Sequence, residues 1–166
     1  RARGYFPVIS RRTSSKKLAF WNWISGKCHI GGSALKNGIC YVVGAGDCIG
    51  LEFQPLAEDL VIAADAGLEY LEQSGIAADL IIGDFDTLEN APTGANVITL
   101  SCEKDDTDML AAVREGVKAG YTEFHLYGGT GGRIDHTIAN LQVLAYLAEN
   151  GWKGYLYCPP NRLRAA

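Results

Sequence analysis

From Ile39 onward the chain repeats one local pattern: a short apolar run, a loop of glycine and aspartate, then a helical stretch. The runs are Ile39–Val43, Leu60–Ala64, Leu80–Ile82, Asn96–Leu100, Glu123–Tyr127 and Gly154–Cys158. Their length and β-branched content read as strands. Between them, Leu68–Gln73 reads as a helix stopped by Gly75. A second helix opens at the acids around Asp105, runs through Met109, Leu110, Val113 and Val117, and closes at Gly120. The third, Ile134–Asn150, is amphipathic, with Ile138, Leu141, Leu144, Ala145 and Leu147 expected as its buried stripe. Strands alternating with helices predict an α/β fold, a three-layer sandwich whose mostly parallel sheet is covered on both faces.

One such domain suits the length. With 166 residues, 48% hydrophobic and 20% charged, the chain can bury a substantial core. No apolar run approaches the roughly 20 residues of a membrane helix, so no membrane partner is expected. The net charge of −4 conceals an asymmetry. Residues 1–36 hold eight of the 15 Lys and Arg and no acid, leaving 7 basic and 19 acidic groups, or −12, for the rest. An acidic body repels nucleic-acid phosphate, which argues against a nucleic-acid partner. The basic segment 1–36 lacks a long apolar stretch and is read as a leader outside the fold. Five cysteines without CxxC spacing offer neither a zinc site nor a disulfide framework, and a reducing cytoplasm suits them. Cys40 and Cys158, inside strand runs, are expected as buried apolar fillers.

Chemistry concentrates where the runs end, the edge at which open α/β sheets bind ligands. Gly83-Asp84-Phe85-Asp86-Thr87 follows the third run. In extended chain Asp84 and Asp86 point the same way, and two like charges together are costly unless a cation sits between them. Mg²⁺ suits such a pair, since it takes a few carboxylates along with phosphate oxygens and water. Lys104-Asp105-Asp106-Thr107-Asp108 opens the second helix. Capping and the helix dipole account for one or two of these acids; with Asp105 and Asp108 on one face, at least one is expected in a site. Tyr127-Gly128-Gly129-Thr130-Gly131-Gly132-Arg133 leads into the third helix. Its glycines admit close backbone approach, the helix start offers N–H groups to phosphate, and Arg133 can clamp one. Asp135 can orient Arg133 or bind metal, and His136 is a structural donor or a phosphate contact. Together the motifs suggest a divalent cation holding a polyphosphate. There is no G-x-x-x-x-G-K-[ST], and Gly44-Ala45-Gly46 followed by Gly50 has three intervening residues where the dinucleotide fingerprint needs two.

Taken in order, these motifs resemble the thiamine pyrophosphokinase (thiamine diphosphokinase) family. The matching elements are Ala64-Asp65-Ala66-Gly67, Ile82-Gly83-Asp84-Phe85-Asp86-Thr87, Lys104-Asp105-x-Thr107-Asp108 and Gly131-Gly132-Arg133-x-Asp135-His136, with Asn140-Leu141 downstream. The resemblance covers residues 39–160 and implies a Mg²⁺-dependent homodimer that converts ATP and thiamine to AMP and thiamine diphosphate. It also implies a Rossmann-like ATP-binding catalytic domain, residues 37–160, followed by a smaller β-sandwich domain. Thiamine would lie between the α/β domain of one subunit and the β-sandwich of the other. Carried over, Asp84, Asp86, Asp105 and Asp108 form the catalytic acidic cluster, with Asp84, Asp86 and Asp108 toward the metal. Asp65, Gly67, Thr87, Gly131, Gly132, Arg133, Asp135 and His136 are assigned to substrate and nucleotide.

Two departures stand out. Thr87 occupies a position where the family usually has Ser, which keeps a hydroxyl. The chain also ends near the expected start of the β-sandwich, so residues 161–166 are read as its truncated beginning. That reading implies a chain that binds Mg-ATP and is weakly active or inactive as it stands. Two alternatives compete: a Mg²⁺-dependent phosphatase with Asp84 as nucleophile, and a nucleotide-binding fragment without catalysis. Against the phosphatase, Leu88 stands where such enzymes want a small β-branched residue.

Overall fold

A computed structural model of the chain describes residues 34–48, 50–83, 96–100 and 107–164. Seven strands, β1 (Cys40–Val43), β2 (Leu60–Ala64), β3 (Leu80–Gly83), β4 (Val97–Thr99), β5 (Glu123–Tyr127), β6 (Lys153–Cys158) and β7 (Asn161–Arg164), form one sheet in the order β4-β3-β2-β1-β5-β6-β7. All neighbours pair in parallel except β6 and β7. The helices among the described residues are α1 (Gly67–Gln73), α2 (Asp108–Lys118) and α3 (Ile134–Glu149). None is long and apolar enough to cross a membrane.

The strand pleat sorts side chains between two cores. In β1, Cys40 and Val42 enter the cluster beneath α2 and α3, while Tyr41 and Val43 enter the one on the α1 side. Phe124, Leu126 and Leu156 are fully buried in the first cluster, each worth roughly 1.5–3 kcal/mol of apolar burial. Burial pushes the Cys40 thiol well up, which makes it the inert filler expected. Cys158, by contrast, is only half-buried near the sheet edge.

Three local expectations change. Thr107, not an aspartate, caps α2: its hydroxyl accepts from the Leu110 N–H at 3.3 Å, which leaves Asp108 as the first helical residue. In α3 the buried face is Asn140, Val143, Leu144, Tyr146 and Leu147. Leu144 and Leu147 thus pack inward as expected, whereas Ile138 and Leu141 are 52% and 42% exposed and Ala145 is also exposed. The helix is apolar nearly all round, so its neighbours rather than its own periodicity choose the inward side. Finally, Asn161–Arg164, read from sequence as the start of another domain, continues this sheet as its antiparallel edge strand.

On the face opposite α3, the β5–β6 region carries rings instead of a helix among the described residues. Tyr127 stacks on Tyr157 at 4.3 Å between centroids, and His125 lies edge-on to Tyr155 at 4.8 Å. His125 Nε2 is 3.4 Å from a Glu123 carboxylate oxygen and Nδ1 is 3.0 Å from the Tyr157 hydroxyl. An ionised carboxylate only accepts, so neutral His125 suits an Nε2–H tautomer with the hydroxyl donating to Nδ1. Burial lowers the His125 pKa from its usual 6.5 despite Glu123. Below that value the unfolded chain takes up a proton that the folded ring resists, so stability falls as pH drops through about 6.5. Replacing His125 with Phe should flatten that part of the Tm–pH curve; an unchanged slope would refute the assignment.

Candidate active site

Strand order reverses at β1 and β5: chain elements proceed outward to β4 on one side and to β7 on the other. At such a switch point the loops leaving the two central strands diverge and open a crevice. Here both loops are glycine-rich, and their first residues zip together. Gly44 N–H donates to Tyr127 C=O, Gly46 to Gly128 and Asp47 to Thr130, each at 2.8 Å. The approach leaves no room for a side chain at Gly128: its φ is +60°, and a Cβ there would strike the Gly44 carbonyl. The crevice floor is therefore mostly backbone.

Above it lies a cavity of about 340 Å³, within the range of small-molecule sites. Asp65 enters from the end of β2, Asp108 from the start of α2, and Arg133, His136 and Asn140 from α3. Asp65 has φ +53°, the only non-glycine residue with positive φ among the described residues. Its N–H donates to Ile82 C=O at 2.7 Å, which holds the end of β2 against β3. Strain at a non-glycine residue in a crevice is a mark of function. An Asp65→Gly variant should gain about 0.5 kcal/mol, since roughly 1 kcal/mol of left-handed strain exceeds glycine's roughly 0.5 kcal/mol entropic cost. It should also lose activity; a variant that is less stable, or equally active, would contradict this.

Arg133 is the N-cap residue of α3 and makes no side-chain capping bond, and a helix start without such a cap suits an anion. Its guanidinium instead grips Asp135 in a fork, Nε to Oδ1 at 3.1 Å and Nη2 to Oδ2 at 2.5 Å, with both side chains exposed. The hydrogen bond from Arg133 holds the Asp135 carboxyl below its usual range. Asp135 thus orients Arg133 from outside and is not among the cavity-lining residues.

This architecture has known counterparts. The family described as "Thiamin pyrophosphokinase, catalytic domain" matches residues 56–156, more than half of the chain. The chain belongs to the thiamin pyrophosphokinase family. Among solved structures, thiamine pyrophosphokinase from Bacillus subtilis is 26% identical with a TM-score of 0.65, over 75% of this chain and 62% of that one. Thiamin pyrophosphokinase from Geobacillus thermodenitrificans is 27% identical with a TM-score of 0.60, over 72% and 59%. A thiamin pyrophosphokinase family protein from Enterococcus faecalis is 25% identical with a TM-score of 0.59, over 73% and 61%. The chain therefore spans about three fifths of the length of these relatives. The comparison with curated proteins gave no match.

Within this thiamin pyrophosphokinase domain, Asp65, Asp108, Gly131, Gly132, Arg133 and His136 line one cavity although they come from three separate motifs. Gly67 does not line it; it is placed instead where β1 ends, with no room for a side chain beside the Val43 carbonyl. Asp84, Asp86, Thr87 and Asp105 lie outside the described residues. Sequence reasoning undervalued the Gly44–Gly46 loop because it sought the dinucleotide spacing; it noted Asn140 only within the downstream Asn140-Leu141 match, and it assigned no site role to Met109 or Asn140. The i, i+4 spacing of His136 and Asn140 was the available signal, since it places both on one helix face. Among the described residues no group of three His, Cys, Asp or Glu side chains is placed to hold a metal ion. Asp65 and Asp108 nonetheless bring hard carboxylate oxygens to a cavity that also offers a phosphate-suited helix start. That donor chemistry fits Mg²⁺, which takes few protein ligands and completes its shell with phosphate oxygens and water.

Proposed function

We propose that this chain is the catalytic α/β part of a thiamine diphosphokinase, moving the pyrophosphoryl group of ATP to the thiamine hydroxyl with release of AMP. The observation that carries the reading is the cavity itself. Carboxylates, an uncapped helix start and a clamped arginine, from motifs far apart in sequence, meet above a glycine floor at the switch point. Family membership narrows the chemistry to the thiamin pyrophosphokinase class.

In this reading the α3 start and Arg133 bind the phosphates, and His136 adds a donor beside them. Asp65 and Asp108, with Asp84 and Asp86, are the residues to hold Mg²⁺, which when bound neutralises phosphate charge and steadies the chain for in-line attack. Thiamine's hydroxyl attacks the β-phosphorus, the bond to the α-phosphate oxygen breaks, and AMP leaves. An aspartate, Asp84, Asp105 or Asp108, accepts or orients the hydroxyl proton. Ordinary aspartates are weak bases, so alignment and charge neutralisation supply most of the rate. The reading also carries a homodimer that completes the thiamine pocket.

The test is AMP and thiamine diphosphate formation from Mg-ATP, with and without thiamine, together with direct ATP binding. Thiamine-dependent AMP supports the full reading. ATP binding without turnover supports a nucleotide-binding fragment, and a phosphorylated Asp84 supports the phosphatase alternative. Failure to bind Mg-ATP overturns all nucleotide readings of this chain.

A further inference from the structure

Asn140 is the buried polar side chain among the described residues, 6% exposed. Its Nδ2 donates to the Gly129 carbonyl at 2.7 Å, while its Oδ1 is buried with no hydrogen-bond partner among those residues. The bond to Gly129 decides the orientation of the amide. A carbonyl cannot donate, so the oxygen cannot be turned toward it. The Asn140 amide nitrogen, the Met109 methyl and a Leu156 methyl all lie within 3.5 Å of where a Cβ on Gly129 would stand, so this part of the loop is closely packed. Buried acceptors left unpaired are rare and call for an explanation. Asn140 lines the same cavity as the glycine loop and the first turn of α3, which points to a ligand as the missing donor.

The chemistry of Oδ1 excludes phosphate. Phosphate oxygens only accept and would meet Oδ1 acceptor to acceptor. Phosphate belongs at the start of α3, and Asn140 lies deeper, roughly 9 Å along the axis from Ile134 at 1.5 Å per residue. A nucleotide with its phosphates at the helix start has donors only in its nucleoside part. We infer that Asn140 reads that part: Oδ1 accepts a hydrogen bond from a ribose hydroxyl or from the amino group of the base. This rests on ATP being the ligand of the cavity. Asn140 is then a specificity residue that also tethers the loop after β5 through Gly129.

The test is calorimetric titration of the full chain with Mg-ATP and three triphosphate analogues. These lack the base amino group (purine riboside triphosphate), the 2′-hydroxyl or the 3′-hydroxyl. The wild type should bind one analogue about tenfold more weakly than ATP, and that analogue identifies the donor. Asn140→Ala should weaken ATP by a similar factor and no longer distinguish it from that analogue. A loss of the loop tether alone would weaken all four ligands equally and leave the preference in place, which would overturn the inference. Equal affinity of the wild type for all four would overturn it without any variant. If Asn140→Ala loses its cooperative melting transition, Asn140→Ser carries the same comparison. ATP binding in these cases leaves the pyrophosphokinase reading standing, whereas a wild type that binds none of the four removes both.

Discussion

Replacing Asp108 with Asn should reduce thiamine-dependent AMP formation by about a thousandfold, the upper range for loss of one charge-stabilising group at a reacting centre. Stability should change little. Thr107 supplies the α2 cap through Leu110 N–H, so the capping bond survives the substitution. One structural loss is the favourable term between a first-turn carboxylate and the helix dipole, about 0.3–1 kcal/mol. The two effects separate cleanly when steady-state AMP release, Mg-ATP affinity and Tm are measured on one preparation. Activity within tenfold of wild type would remove Asp108 from the catalytic set. A large fall in Tm would assign it to the fold instead.

A second large effect is expected at Gly67. Here α1 begins directly against the end of β1, and an added Cβ would collide with the Val43 carbonyl and the Gly44 backbone. Backbone cannot swing aside as a side chain tip can, so Gly67→Ala should destabilise by about 3 kcal/mol. Gly75→Ala offers the control. Gly75 has φ +67° but nothing within 4 Å of the added carbon, so only left-handed strain of about 1 kcal/mol is expected. Urea melts of both variants give the comparison, and equal losses would show that the close approach at Gly67 carries no special cost.

Acids at the two ends of the strands illustrate how far a motif can be read alone. Asp59 accepts from the Ile39 and Leu56 N–H groups at 2.7 and 2.8 Å, and Asp79 accepts from Val61 N–H at 2.8 Å. Both stand at strand beginnings, where free N–H groups are available, and their carboxylates are engaged by backbone. Asp65, at a strand end, and Asp108, at a helix start, line the cavity instead. Strand polarity thus sorts structural aspartates from candidate site residues, and that polarity was legible because glycine and aspartate mark the ends of the apolar runs.

Local signals determined a good deal. Run length and punctuation placed the strands and helices, and parallel α/β topology followed because each helix must carry the chain back to the same edge. The edge location of the acidic and glycine-rich motifs followed in turn. Tertiary structure alone decided what depends on neighbours. Periodicity could not choose the buried face of α3, because apolar residues surround that helix; packing on β6 and α2 turned Val143, Leu144 and Leu147 inward and left Ile138 and Leu141 exposed. The cap of α2 fell to Thr107, whose extended backbone directs its hydroxyl at Leu110 N–H. Asn140 acquired its meaning only when the fold set its Nδ2 against the Gly129 carbonyl and buried its Oδ1. An amide on a helix surface is satisfied by water, whereas one buried under a glycine loop depends on what the tertiary structure sets beside it.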